Sequence, residues 1–260
     1  MKKGLLIGNP VDKSVSHITH NEIFKILKID AVYDKKVICI ERLDEEVAHL
    51  KKMDYAYFAV TMPLKELIIP FLDERKDLIG SVNTIEVRDG KWIGYNFDGI
   101  GCLNAIENVE KVMGRRVLVL GAGGAAKSAI FEAKKRGAEV FVYNRTRDRA
   151  EKVAEQFDVQ ILLEIRTTFD IIIQATSIGM LTTELPIDMK WVTNKTLVME
   201  MVYNPIHTLF TQESLKKGAK IVLGYEMFAE LSFAQFELIF GNQVDKNIVL
   251  NTIKNFFIKN

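Results

Sequence analysis

The sequence predicts an α/β protein of two domains, and three observations carry that expectation. Short apolar runs alternate with stretches of helical periodicity, the pattern of strands and helices wound into mostly parallel sheets. The alternation becomes strict only from Arg116 onward, so the two halves differ in plan. At 260 residues with 48% apolar side chains, the chain is long and apolar enough for one large core or two modest ones.

Residues 3–7 read as a first strand, because their apolar run is too short for a signal peptide and Gly8-Asn9-Pro10 ends it. Residues 19–27 and 43–51 read as helices, and 32–40 and 56–60 as strands. Residues 63–72 read as a helix with Pro63 near its start, where a missing N–H costs little. Strands at 84–87 and 92–95 flank Asp89-Gly90, a strong hairpin signal. A helix opens after Asp98.

The second half reads as strand 117–120, helix 125–136, strand 139–143, helix 147–157, then strands 170–174 and 196–201. Helix 208–217 leads to strand 220–223, and residues 227–240 and 245–258 are helical. The expected domains are 1–98 and 99–224, with the helices of 225–260 returning to the first.

Composition excludes several classes. A net charge of +1 gives no electrostatic case for nucleic acid or an anionic membrane surface. No apolar stretch approaches membrane-spanning length. Cys39 and Cys102 have no metal-ligand spacing and read as reduced thiols of a cytoplasmic protein. The four histidines have none either, so no metal is expected.

Val117-Leu118-Val119-Leu120 runs directly into Gly121-Ala122-Gly123-Gly124-Ala125-Ala126, a G-x-G-x-x-A turn after a buried strand and before a helix. Gly121 permits the tight turn, Gly123 lets backbone approach a pyrophosphate, and Ala126 permits close helix–strand packing. This is a Rossmann-type dinucleotide signature. The next strand selects the cofactor. An NAD site places a carboxylate at that strand's tip, about 20 residues after the turn, to bind the ribose hydroxyls. Here the tip reads Asn144-Arg145-Thr146-Arg147-Asp148-Arg149. Arg145 and Arg149, with Thr146, offer donors to a 2′-phosphate instead, which points to NADP.

The first half holds a polar constellation. Lys65 in Thr61-Met62-Pro63-Leu64-Lys65 falls in the first turn of a helix, where the dipole disfavours a cation and favours the neutral amine of a general base; taken alone it reads equally as an exposed lysine. Asp98 is a carboxylate or a helix cap, Ser14 and Ser16 are hydroxyl ligands or caps, and Asn83 is a ligand or a turn residue. Together they suit a small polyhydroxy acid.

In this order the motifs resemble the shikimate dehydrogenase family over nearly the whole chain. The matching stretches are Gly8-Asn9-Pro10, Ser14-Val15-Ser16, Val60-Thr61-Met62-Pro63-Leu64-Lys65, Val82-Asn83-Thr84 and Asn96-Phe97-Asp98-Gly99. They continue with the glycine turn, Asn144-Arg145-Thr146, Ala175-Thr176-Ser177-Ile178-Gly179-Met180, Tyr203-Asn204-Pro205 and Gly224-Tyr225-Glu226-Met227. The ending is most like the dehydrogenase half of fused dehydroquinase–shikimate dehydrogenases. The resemblance implies an N-terminal α/β substrate domain, a Rossmann-type NADP-binding domain and a cleft between them. It implies reversible NADPH-dependent reduction of 3-dehydroshikimate to shikimate, a step of aromatic amino acid biosynthesis, by a monomer or homodimer.

By the same resemblance Lys65 is the acid/base and Asp98 its partner. Ser14, Ser16 and Tyr203 hold the substrate carboxylate, and Thr61, Asn83 and Gln235 contact ring hydroxyls or the base. Gly121, Ala122, Gly123, Gly124, Ala125, Asn144, Arg145, Thr146 and Arg149 bind the cofactor, with Thr176, Met201 and Gly224 on its nicotinamide side. Four positions depart from the family pattern: His17 for Pro, Phe97 for Thr, Glu200 for Asp, and Leu231 for a substrate-binding Gln. Phe233 also replaces a usual small residue. Leu231 cannot hydrogen-bond, so the family pattern leaves a second reading, a dehydrogenase of quinate or another cyclic polyol acid. A catalytically impaired NADP-binding regulator is a third, which the Lys65 and Asp98 pair argues against.

Overall fold

Strand β1 (Lys2–Gly8) is buried from Gly4 onward, with Leu5, Leu6 and Ile7 at its centre. It is followed by α1 (Ser16–Leu27), β2 (Ala31–Val37), α2 (Leu43–Leu50), β3 (Tyr57–Val60), α3 (Leu64–Leu67), β4 (Glu74–Arg75), β5 (Thr84–Arg88) and β6 (Lys91–Tyr95). The computed structural model describes residues 1–76 and 78–259. The chain divides into two units, Met1–Phe97 with Ser232–Asn260, and Asp98–Leu231.

In the first unit the sheet order is β2-β1-β3-β5-β6-β4. Strands β2, β1 and β3 are mutually parallel and β4 pairs parallel with β6, whereas β3–β5 and β5–β6 are antiparallel, so this sheet is mixed. The cause is local. Asp89 and Gly90 both take positive φ, 52° and 75°, the primed turn that reverses one strand directly onto the next. Beneath the sheet Ile7, Phe58, Val60, Leu64, Val82, Ile85 and Trp92 form a closed apolar cluster.

The helix expected over residues 63–72 is four residues long, and a separate 3₁₀ turn covers Ile69–Phe71. Pro70 explains the break: it donates no N–H with which to continue the α-helical ladder. The dipole argument for Lys65 falls with it, since four residues align few peptide dipoles.

The second unit continues with α4 (Asp98–Glu107), β7 (Arg116–Leu120), α5 (Gly124–Lys135), β8 (Glu139–Tyr143), α6 (Arg147–Phe157), β9 (Gln160–Ile161), β10 (Ile171–Gln174), β11 (Leu197–Glu200), α7 (Leu209–Lys216), β12 (Lys220–Val222) and α8 (Gly224–Phe240); α9 (Lys246–Lys259) follows. Its sheet runs β12-β11-β10-β7-β8-β9, every pair parallel. Counted within the unit, that is the strand order 3-2-1-4-5-6 of the Rossmann fold. Strands β10 and β11 are buried along their whole length, because helices covering both faces demand continuous apolar runs. Ala126, Ala129, Ile130 and Ala133 give α5 its buried stripe at helical spacing.

Helix α8 contributes residues 224–231 to the second unit and 232–240 to the first. Glu226 accepts the Leu223 N–H at 3.0 Å at its start, and no Gly or Pro interrupts it afterwards. The division between the units falls after Leu231, within the residues of this helix.

Within the first unit His20 of α1 is buried between Tyr33 and Phe236, with ring centroids 4.6 Å from each, and its Nε2 lies 3.2 Å from the Ser232 hydroxyl. Burial, with His17 beside it, pushes its pKa down from 6.5 to about 3. The folded value lies below the unfolded one, so stability is full above pH 6.5 and falls as the unfolded chain alone takes up the proton. At pH 5 the loss is about 2 kcal/mol. His20→Phe is expected to flatten this limb of the curve, measured by urea unfolding from pH 7 to pH 5. An unchanged slope would remove His20 from the account.

Candidate active site

One edge of the first sheet gathers most of the polar residues expected to meet a substrate. The carboxyl ends of the parallel strands β1 and β3 lie side by side, and the Thr61 N–H donates to Ile7 O at 2.9 Å while Asn9 N–H donates to Met62 O at 2.9 Å. Antiparallel β5 begins at the same edge, so Asn83 accepts the Val60 N–H on its carbonyl at 2.8 Å. Val82 N–H donates to the Lys65 carbonyl at 2.7 Å, which fastens the lysine's turn to the segment before Asn83. Lys65 and Thr61 are half-buried and Asn83 is buried.

Ser14 and Ser16 precede and open α1 on the loop from β1. Their hydroxyls lie 3.0 Å apart, and Ser14 Oγ accepts the Ser16 N–H at 3.4 Å. Neither occupies the cap position, which is Val15. Two hydroxyls at a helix start suit a carboxylate, which the uncapped N–H groups attract.

Gln235 of α8 stands behind this edge. Its Nε2 donates to Thr84 Oγ1 at 2.7 Å, and Thr84 Oγ1 donates to Asn83 Oδ1 at 2.9 Å. The same Oδ1 accepts the Phe97 N–H at 3.0 Å, so the Asn83 amide has a fixed orientation. Gln235 thus reaches Asn83 through Thr84, a buried residue that the sequence did not single out.

In the second unit β7 delivers the glycine turn to the point where the strand order reverses, between β7 and β10. Gly121 has φ 121°, and a Cβ there would stand 3.0 Å from Ala175 O, so no other residue fits without strain. The Gly121 N–H donates to Tyr143 O at 2.8 Å, while nothing lies within 4 Å of a Cβ built at Gly123, leaving room for a phosphate against the backbone. Gly124 and Ala125 begin α5, whose cap residue Gly123 has no side chain to close the N–H groups.

The tip of β8 is equally open. Asn144 is half-buried, its Nδ2 donating to Thr146 O at 2.9 Å, whereas Arg145, Thr146 and Arg149 are exposed. Thr146 caps α6 by position without a side-chain hydrogen bond. Among the described residues Arg145 and Arg149 enter no salt bridge, while neighbouring Arg147 pairs with Glu151 at 2.7 Å. A pocket of about 170 Å³ lies here, lined by Arg145, Arg147, Ile161 and Leu163 among others.

Two family models match this chain. One described as the shikimate dehydrogenase substrate binding domain matches residues 6–85, and one described as shikimate / quinate 5-dehydrogenase matches residues 104–191. The shikimate dehydrogenase (NADP(+)) of Bacillus anthracis is 38% identical over 253 residues, covering 91% of each chain. This chain belongs to the shikimate dehydrogenase family.

Among solved structures, the family's Thermus thermophilus member in complex with NADP(H) and shikimate matches at TM-score 0.91 and 28% identity, covering 98% of this chain and 99% of that one. A shikimate dehydrogenase in complex with NADP+ matches at TM-score 0.90 and 32% identity, covering 99% and 96%. A 5-ketofructose reductase from Gluconobacter sp. strain CHM43 matches at TM-score 0.87 and 26% identity, covering 98% of each chain.

The remaining expected residues fall as follows. Asp98 opens α4, is buried, and belongs to the second unit, as does Tyr203, which stacks on Phe228 at 5.7 Å. Thr176 is the second residue after β10 and Met201 the first after β11. Gly224 lies against Met201 and Val202: a Cβ there would meet Val202 O at 2.6 Å. Of the departures from the family pattern, Glu200 is fully buried and accepts Val202 N–H and Thr208 Oγ1–H at 3.0 and 2.8 Å. Burial raises its pKa to about 7 against those bonds. Leu231 is half-buried, its Cβ 2.7 Å from where a Cβ on Gly101 would stand, which packs α8 closely on α4. Among the described residues no helix is long and apolar enough to cross a membrane, and no cluster of three potential metal ligands occurs. Cys102 is buried, and that burial, with Asp98 one turn away, raises its thiol pKa and keeps it inert.

Proposed function

We propose that this chain catalyses the reversible NADPH-dependent reduction of 3-dehydroshikimate to shikimate in the cytoplasm. The observation that carries the reading is the open cation pair at the β8 tip beside an uncapped glycine turn, in a family whose Bacillus anthracis member is an NADP(+) shikimate dehydrogenase. Arg145, Arg149 and Thr146 hold the 2′-phosphate, and the N–H groups from Gly121 to Ala125 hold the pyrophosphate. The bound cofactor supplies a hydride to the C3 carbonyl carbon. Lys65 gives its proton to the carbonyl oxygen, which becomes the product hydroxyl, and takes one back in the oxidative direction. Asp98 is its charge partner and orients the ammonium. Ser14, Ser16 and Tyr203 bind the carboxylate, while Thr61 and Asn83 bind ring hydroxyls, with Gln235 setting Asn83 through Thr84.

All these residues come from one chain, so a monomer or a homodimer serves the chemistry without a nucleic-acid or membrane partner. Two free cysteines suit a reducing compartment. Leu231 favours a second reading, in which quinate or another cyclic polyol acid is the better substrate: an apolar side chain stands on α8 where the family places an amide. Steady-state kinetics with shikimate and quinate, each with NADP and NAD, separates them. The expected result is the highest kcat/KM for shikimate with NADP. A clear preference for quinate would replace the first reading with the second, and no turnover with any pair would leave a cofactor-binding regulator.

A further inference from the structure

Two buried polar side chains at the carboxyl edge of the second sheet hold no role in the reading above. Gln174 ends β10 and Glu200 ends β11, and the two are register partners across the parallel pair. Both are fully buried. A polar group is costly at such a place unless it is satisfied, so what satisfies it shows what it builds.

Every bond of the Gln174 amide goes to the loop that follows its own strand. Its Oε1 accepts Thr176 N–H at 3.0 Å and Thr176 Oγ1–H at 2.9 Å, and its Nε2 donates to Ile178 O at 2.9 Å and to Thr176 O at 3.4 Å. Glu200 treats the next loop alike, accepting Val202 N–H at 3.0 Å and the hydroxyl of Thr208, which caps α7, at 2.8 Å. The loops are joined as well, since Met201 N–H donates to Gln174 O at 3.1 Å.

The strand order says what these loops face. From β8 to β7 to β10 to β11 the edge presents Arg145, then the glycine turn, then Thr176, then Met201. Ala175 O lies against Gly121, so the first loop abuts the turn on the side away from Arg145. A dinucleotide with its 2′-phosphate at Arg145 and its pyrophosphate on the turn has only its redox half left to lie over these two loops.

We infer that Gln174 and Glu200 are a positioning pair that fixes the two loops under the redox half of the cofactor; this rests on the NADP reading above. Each acts through backbone it orients and touches no ligand. The pair accounts for satisfied buried groups at adjacent strand ends, where apolar residues would otherwise continue the core.

The test compares two probes. Adenosine 2′,5′-bisphosphate carries only the half of the cofactor that lies on the β8 side, and NADPH carries both. Gln174→Met, close in length and without the amide, is expected to lower kcat/KM with NADPH about tenfold or more, while the bisphosphate Kd stays within about twofold. Glu200→Leu is expected to do the same. Glu200→Gln is expected to restore most of the activity, because its amide oxygen still accepts Val202 N–H and the Thr208 hydroxyl can turn to accept from its NH₂. Unchanged NADPH kinetics in Gln174→Met would overturn the inference. Equal loss of bisphosphate binding would overturn it too, by assigning the pair to the integrity of the whole unit. If the wild-type protein binds neither probe, the cofactor reading itself is wrong.

Discussion

Lys65→Ala is expected to lower kcat for 3-dehydroshikimate reduction by about 10²- to 10⁴-fold, the range a positioned proton donor contributes, and to leave NADPH affinity unchanged. The lysine's backbone is held by the bond from Val82 N–H to its carbonyl, which alanine keeps. Its turn is helical, and alanine is the strongest helix former, so the variant folds. What it loses is the Lys65 amine, near the turn that holds Thr61 and the segment before Asn83. Lys65→Arg is the sharper probe. It keeps the charge, but a guanidinium cannot surrender a proton near neutral pH, so it is expected to be nearly as slow as the alanine variant. NADPH oxidation followed at saturating substrate measures both. Full activity in Lys65→Ala, or activity in Lys65→Arg close to wild type, would remove the lysine from the proton transfer.

Replacing Arg145 and Arg149 together with alanine is expected to raise KM for NADP by about 10²-fold or more, at about tenfold or more for each charge-assisted bond lost. KM for NAD, which has no 2′-phosphate, is expected to stay within about twofold. The physical basis is that neither guanidinium has an acidic partner among the described residues and both are exposed, so a phosphate need displace no ion pair to bind. Thr146 adds a hydroxyl with no side-chain hydrogen bond of its own, at the start of an uncapped helix. The change in the NADP to NAD ratio of kcat/KM is the measured quantity. A ratio that does not move would mean that the β8 tip does not read the 2′-phosphate.

The parts of this protein legible in its sequence are those in which neighbouring residues decide the outcome. The run from Val117 through Phe157 was readable nearly to the residue, because apolar runs, a glycine turn and helical spacing are all local signals. The Asp89-Gly90 hairpin was readable for the same reason. Pro70 carried a local signal too, and it outweighs the helical pattern around it, which is why α3 stops at Leu67.

Other features exist only through partners far along the chain. The two-residue strands β4 and β9 are strands solely because β6 and β8 offer them ladders. The path from Gln235 through Thr84 to Asn83 spans about 150 residues of sequence, and nothing in the composition of α8 announces it. Gln174 reads as an ordinary strand end and Glu200 only as a departure from the family's Asp, until burial gives each its partners in the loop beyond it. The amino-acid sequence by itself determined the Rossmann turn and its cofactor, since each depends on residue types at short spacing, whereas Lys65 stood out only through the ordered motifs of the family. Only the tertiary structure decided which polar side chains face outward to bind and which turn inward to hold the loops, because a buried hydrogen bond is satisfied in space, without regard to distance along the chain.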